Sequence, residues 1–326
     1  MIPFAYFGTA PISHTVLEEL FKRGFKPSLI VTYPDKAVGR SKELTENVVA
    51  DFASKNLHGV PVIKAPKLTP DVTKEIIEKC IEQKIELFVV MAYGRIIPKA
   101  LLDFPKFGSI NVHPSLLPKF RGPAPLQANI LNTKVDTNSE NNQNQTIHGI
   151  SIMLLDEEMD HGAIIAQESF PKIGNEILAK NGNAGKITTY TEYEKLMAKE
   201  GARMLTEVLP KWISGEIKAI PQKHEDATYT KKTEKEDGFI KWHDLLSAMG
   251  GEMPDLALNI ALKFSAYTPW PSIYTINPKD NKRVKITALH LEGTGLGLNS
   301  TKIVIDKIIQ EGKPEIETPK NYFSSK

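Results

Sequence analysis

Apolar residues fall along this chain in short blocks separated by polar stretches of helical period, and that alternation sets the fold class. Residues 2–7 are an almost continuous apolar run and read as a buried first strand, with residues 8–11 as the turn after it. Ser13 is placed to cap a helix whose apolar face is Val16, Leu17, Leu20 and Phe21. Residues 28–33 are the next strand. A strand–helix–strand opening predicts a parallel sheet with right-handed crossovers, hence an α/β, Rossmann-like domain. The alternation continues with a helix over 46–55 and a short strand over 61–63. Thr69 then caps a helix that has Pro70 at its first position and runs to about Gln83. Residues 86–91 form a continuous apolar strand, as expected when both faces of a sheet are covered.

The next stretch, 108–132, organises the rest. It opens as an apolar run over 109–112 and stops at Pro114. Three prolines and a glycine hold 114–123 in irregular structure, and from Ala124 the apolar positions Leu126, Ile130 and Leu131 take helical spacing. Asn111 and His113 therefore lie at the carboxyl end of a strand, where open α/β sheets place their ligands. Two residues apart, they point to the same side. Strands over 147–155 and 163–168 follow, flanking a loop at 156–162 that returns to the site. A helix begins at 191 and extends toward Trp212, and 221–232 reads as an extended linker. Strand-like composition returns at 273–276, 282–291 and 302–309. The polar, asparagine-rich segment 133–146 reads as a surface excursion without catalytic role, 174–185 as loose, and 314–326 as a disordered tail.

Composition narrows the class. With 326 residues, 41% hydrophobic and 25% charged, the chain has the make-up of a soluble globular protein of one large or two ordinary domains. A net charge of +2 gives no global basic field, so any nucleic-acid contact has to come from local patches. Cys80 is the single cysteine, so no intrachain disulfide forms, which fits a cytoplasmic protein. It sits among Ile76, Ile77 and Ile81 and reads as core packing. No apolar run approaches a membrane span, and the N-terminus reads as a strand, not a signal peptide. Arginine is scarce: Arg23, Arg40, Arg95, Arg121, Arg203 and Arg283 are the whole set. Arg40, Arg95 and Arg121 fall in glycine-bearing loops, where a planar fork is informative. Arg23 and Arg203 read as ordinary helix-face arginines.

The run Asn111, His113, Pro114, Ser115, Leu116, Leu117, Pro118 with Gly122 resembles the folate-dependent formyltransferases, which carry Asn-x-His-Pro-Ser-Leu-Leu-Pro followed by a glycine. The family's later Asp-x-Gly corresponds to Asp160 and Gly162. The continuation R-G-P-A-P-L-Q-A-N-I-L-N is similar to the tRNA-directed branch of that family. The resemblance implies 10-formyltetrahydrofolate as co-substrate, no metal, and initiator methionyl-tRNA as acceptor, with the chain a monomer and no membrane partner. It implies that Asn111, His113 and Asp160 are catalytic. It also implies that Ser115, Leu116, Leu117, Pro118, Asp156 and the loop Tyr93, Gly94, Arg95, Ile96 and Ile97 bind the folate. For Ile96 and Ile97 core packing is an equal alternative; for 115–118 a rigid turn is the rival reading, and the resemblance implies that the segment both shapes the site and binds folate.

Residues 34–44 match a family loop that reaches the tRNA acceptor arm, which makes Lys36, Arg40 and Lys42 the expected tRNA contacts. Glu43 and Ser41 depart from that pattern, and a solvated surface loop is the alternative. The implied organisation is a catalytic domain over 1–206, a helix end and linker over 207–232, and a small OB-like barrel over 233–313. From 257 to 313 eight Lys or Arg stand against four Asp or Glu.

The residue types suit formyl transfer. An amine attacks the formyl carbon, charge builds on the formyl oxygen, and the folate nitrogen leaves with a proton. Asn111 offers amide N–H groups to that oxygen. His113 is the common side chain that titrates near neutrality and can move the proton. Asp160 orients it and can order a water. His148, His161 and Asp160 lack the spacing of a known metal site. A sugar-nucleotide N-formyltransferase is the alternative enzyme, and a folate- or tRNA-binding protein without turnover is the alternative class.

Overall fold

The computed structural model describes residues 2–38, 43–133, 148–171, 173, 177–178, 187–293 and 301–323. In chain order the first half comprises β1 (Phe4–Gly8), α1 (Pro11–Lys22), β2 (Leu29–Thr32), β3 (Lys36–Val38), β4 (Glu43–Thr45), α2 (Val48–Asn56), β5 (Val62–Lys64), α3 (Pro70–Glu82), β6 (Leu87–Met91), α4 (Lys99–Leu102) and β7 (Ser109–His113). Then come α5 (Pro125–Leu131), β8 (Gly149–Leu154), β9 (Ile164–Ser169) and α6 (Tyr190–Ile213).

Seven strands form one sheet in the order β5-β2-β1-β6-β7-β8-β9. The pairs β2–β5, β1–β2, β1–β6 and β6–β7 are parallel, while β8 runs antiparallel to β7. The central parallel strands β1, β2 and β6 are almost wholly apolar because they are covered on both faces, and every residue in them is buried. One face packs Phe7, Leu29, Val31, Phe88 and Val90 against Ile76 and Cys80 of α3 and Leu101 of α4. Each such side chain contributes about 1.5–3 kcal/mol by leaving water. Cys80 is a core residue, and burial pushes its thiol up to about 12.

Local chemistry fixes the helix ends. Thr69 accepts from the Val72 N–H and Pro70 opens α3, as the sequence predicts. Asn47 caps α2 in the same way, accepting from Val49 N–H at 2.9 Å. Ser13 differs from expectation. Pro11 starts α1 two residues earlier, so Ser13 lies inside the helix, buried, 3.0 Å from the Tyr6 hydroxyl. Residues 34–44, read as a loop, include the paired strands β3 and β4. Residues 39–42, and with them Arg40 and Lys42, lie outside the described residues, as do 134–147 of the asparagine-rich segment and most of 174–185.

The chain divides into two compact units that interleave in sequence. One comprises Met1–Arg121, Gly149–Glu168 and Lys195–Tyr229; the other comprises Gly122–His148, Ser169–Glu194 and Thr230–Lys326. The second unit holds α7 (Trp242–Gly250), α8 (Pro254–Tyr267), β10 (Ile273–Ile276), β11 (Arg283–Glu292), β12 (Lys302–Gln310) and β13 (Glu315–Glu317). The four strands form a separate antiparallel sheet in that order. Its inner face (Ile273, Val284, Ile286, Ile305 and Ile308) is buried, and α8 packs on the sheet with α7 and α5 beside it.

The tail corrects the expectation of disorder. Ile316 of β13 pairs opposite Ile308, and the Phe323 ring packs on Trp242 at 5.1 Å with Tyr322 edge-on to Phe323. The free edge of β12 takes up the added strand. In this unit His148 is also buried, between the Tyr193 hydroxyl at 2.8 Å and Thr133 Oγ1 at 3.1 Å.

Candidate active site

The parallel order places a topological switch between β1 and β6, whose carboxyl ends, with that of β7, mark the ligand edge of such a sheet. Asn111 sits in β7 opposite Val90 of β6 and Met153 of β8, and His113 ends the strand opposite Ser151. Both are buried. Among the described residues the Asn111 amide makes no side-chain hydrogen bond to the protein, which leaves its N–H groups for a ligand.

His113 is held on two sides. Its Nε2 lies 3.1 Å from Phe120 O, a group that only accepts, so Nε2 carries a hydrogen. Its Nδ1 faces Asp160 Oδ1 at 3.6 Å. β8 runs away from His113: Leu154 pairs with Ile110, and the Leu155 N–H reaches Ser109 O. The loop after β8 must therefore return along β7 to bring Asp160 back.

Three features shape that return. Asp156 accepts from the Glu158 N–H at 3.0 Å and from His161 Nδ1 at 2.7 Å, closing a local turn. Asp160 takes φ +52°. Gly162 packs so closely on Leu154 O that no Cβ fits there, which is the physical reason for glycine two residues after Asp160.

The turn after β7 is fixed from within. The Ser115 hydroxyl donates to Lys119 O at 2.7 Å. Ser151 of β8 donates to Ser115 O at 2.6 Å and accepts from the Leu117 N–H at 3.0 Å. Gln167 of β9 donates to Leu117 O and to Ser151 Oγ. The Leu117–Pro118 bond is cis. Gly149 leaves the space that Leu116 fills. The hydrogen bonds therefore give the rigid turn that the sequence offered as one of two readings of 115–118.

In the loop beyond β6, Tyr93 is buried edge-on to Phe7 at 5.6 Å, and burial pushes its phenol up to about 12. Gly94 takes φ +76°. The Arg95 guanidinium lies 4.5 Å over the Tyr33 ring and bonds to the Tyr33 hydroxyl. Ile97 belongs to the core cluster, whereas Ile96 is 90% exposed. The two isoleucines thus part company.

The sequence marks Arg121 as an informative loop arginine but gives no sign of its partner Gln222. Arg121 is 2% exposed, and its guanidinium bonds to Gln222, His224 and Tyr229. Gln222 in turn donates to Asp160 O and Gly162 O. The segment expected to be a bare linker is thus woven into the turn after β7. Thr228 bonds to the Phe120 and Arg121 N–H groups, and Arg121 bridges to Tyr229 in parallel. Among the described residues no group of His, Cys, Asp and Glu could hold a metal ion, and no helix is long and apolar enough to cross a membrane.

Residues 2–186 match the model of the formyl transferase family. Methionyl-tRNA formyltransferase of Geobacillus sp. is 35% identical over 275 residues, 84% of this chain and 74% of that one. The enzyme of the same name from Bacillus velezensis is 34% identical over 97% of this chain and 93% of its own. Among solved structures, an N-formyltransferase of Helicobacter canadensis, in complex with folinic acid and dTDP-3-aminofucose, superposes with TM-score 0.57 at 18% identity, covering 94% of this chain and 99% of its own. That likeness speaks for the fold. The match over 2–186 and relatives of this identity across most of the length carry the assignment further: the chain belongs to the folate-dependent formyltransferase family, among the methionyl-tRNA formyltransferases.

Proposed function

We propose that the chain transfers the formyl group of 10-formyltetrahydrofolate to the amino group of methionine on initiator methionyl-tRNA. The observation that carries this reading is the meeting of Asn111, His113 and Asp160 at the carboxyl end of β7, within a chain whose relatives bear that activity by name.

In this reading Asn111 donates its amide N–H groups to the formyl oxygen as charge builds there. Such preorganised donors are worth about 2.7–4 kcal/mol in comparable oxyanion sites. His113 moves the proton that the attacking amine gives up toward the folate nitrogen as the old carbon–nitrogen bond breaks. Asp160 faces the imidazole at 3.6 Å, within ion-pair distance, and holds it in position. No step calls on a metal. The rigid turn Ser115, Leu116, Leu117 and Pro118, the Asp156 turn and the loop from Tyr93 to Ile97 border the folate. Ser115 acts by shaping the turn, because its hydroxyl is spent on Lys119 O. Ile96 is the side chain best exposed to meet an apolar ring.

We assign the catalytic work to residues 1–206, tRNA contact to Lys36, Arg40 and Lys42, and the body of the tRNA to residues 233–313. The test is an acceptor screen with one formyl donor: charged initiator tRNA, amino-sugar nucleotides, glycinamide ribonucleotide and water. Formylation of charged tRNA well above every other acceptor is the expected result. Preference for an amino-sugar nucleotide would replace this reading with its nearest rival.

A further inference from the structure

Burying an arginine is costly unless its donors are used, so a guanidinium at 2% exposure calls for an account. Arg121 directs Nε and Nη2 to one acceptor, Gln222 Oε1, at 3.2 and 2.7 Å. Nη1 reaches the Tyr229 hydroxyl at 3.2 Å, and Nη2 reaches His224 Nδ1 at 2.9 Å. Gln222, itself buried, has its oxygen pinned and therefore its amide nitrogen aimed. That nitrogen donates to Asp160 O at 2.9 Å and Gly162 O at 2.8 Å, on both sides of His161. Asp160, the first of those anchors, takes a left-handed backbone conformation, which a non-glycine residue keeps only where its surroundings hold it. The same segment serves the other partner. Thr228 fixes Phe120, and Phe120 O receives His113.

From this geometry we infer that Arg121 and Gln222 are positioning residues for formyl transfer: they hold the Asp160 loop so that its carboxylate faces His113, and residues 222–229 are a clasp of the catalytic apparatus. The inference rests on the proposed role of Asp160. It makes two assignments that role does not contain: a residue acting only through Asp160, and a catalytic duty for a stretch that reads as a linker.

Gln222→Glu separates the two halves of the contact in the full-length protein. The carboxylate keeps, and strengthens, the bond to Arg121, while the two N–H donors to the loop are lost. Gln222→Met, of similar length, removes both and is measured beside it, so that one folded variant is read in either case. Turnover should fall between about tenfold and a hundredfold, the scale of a misplaced catalytic group, with the KM for the formyl donor within about twofold; the melting temperature should drop more in Gln222→Met, which takes the shared acceptor from the buried Arg121, than in Gln222→Glu, which keeps it.

The decisive measurement is the double variant with Asp160→Asn. On that background the change at 222 should cost less than about twofold, because there is no carboxylate left to aim. Full multiplication of the two losses would overturn the inference, and so would wild-type turnover in Gln222→Glu. Asp160→Asn with undiminished turnover would sink the role of Asp160 itself and the inference with it, a result read from the single variant alone.

Discussion

His113 and Asp160 stand 3.6 Å apart, close enough to act on each other electrostatically and too far for a direct hydrogen bond. His113→Ala or Asp160→Ala should each lower turnover by at least about a hundredfold. Equilibrium binding of the formyl donor should persist in both. Near-normal turnover in either variant would remove the mechanism. A second histidine does a different job. Thr133 gives its hydroxyl hydrogen to Asn129 O, so it accepts from His148 Nε2, and the Tyr193 hydroxyl meets Nδ1. The neutral ring is satisfied, and burial pushes its pKa down from 6.5 to about 4. With the folded value depressed, the unfolded chain takes up the proton first. The stabilisation is therefore present above pH 6.5 and is lost as pH falls toward 4, by about 3 kcal/mol in all. Urea unfolding at stepped pH should show that loss in the native protein and not in His148→Asn. Equal pH dependence in the two would refute the assignment. Asn111 and His113 were legible because a strand end, a spacing of two and a proline stop are local signals. Ser13 misled because Pro11, and not the serine, sets the start of α1.

Among elements, β8 deserves weight beyond its length. Ser151 donates to Ser115 O and accepts from the Leu117 N–H and the Gln167 amide, so a single hydroxyl ties the turn after β7 to β8 and β9. Ser151→Ala leaves buried backbone groups without that partner and should cost about 1–3 kcal/mol. Chemical denaturation measures it, and a loss under half a kilocalorie would show that the turn holds its shape without β8. The formyl donor's KM should rise in the same variant. The period-based elements were visible in the sequence: the buried runs of β1 and β6, the capped α3, and the apolar spacing of α5. What escaped was set by distant pairing. The bonds from Arg121 to Gln222 span 101 residues and leave no periodicity to read. β13 escaped because three residues with one isoleucine make a strand only where β12 offers an edge.

For the molecule as a whole, a net charge of +2 leaves little long-range pull on a polyanion. Contact with tRNA then falls to local cations. On the antiparallel sheet Tyr274 pairs with Lys285 and Ile276 with Arg283, which puts both cations on the face opposite the buried Ile273, Val284 and Ile286. The Arg283 guanidinium lies 4.1 Å over the Tyr274 ring, an arrangement suited to phosphate and base together. Replacing Arg283 and Lys285 by alanine should raise the KM for charged tRNA and make its dependence on log salt shallower by roughly 1–2, with the donor's KM unchanged. An unaltered salt slope would clear this face of any tRNA contact. Arg40→Ala should act in the same direction.

The clasp at 222–229 also has a meaning in time. A ribosome finishes Asn111, His113 and Asp160 well before it reaches Gln222 and Tyr229, and at about 5–20 residues per second the gap lasts several seconds. Throughout that interval the Asp160 loop has its Asp156 turn and the close packing of Gly162, but not the two donors of Gln222. On the inference above, a chain truncated just short of the clasp should bind the formyl donor yet turn it over about tenfold to a hundredfold more slowly than the full chain.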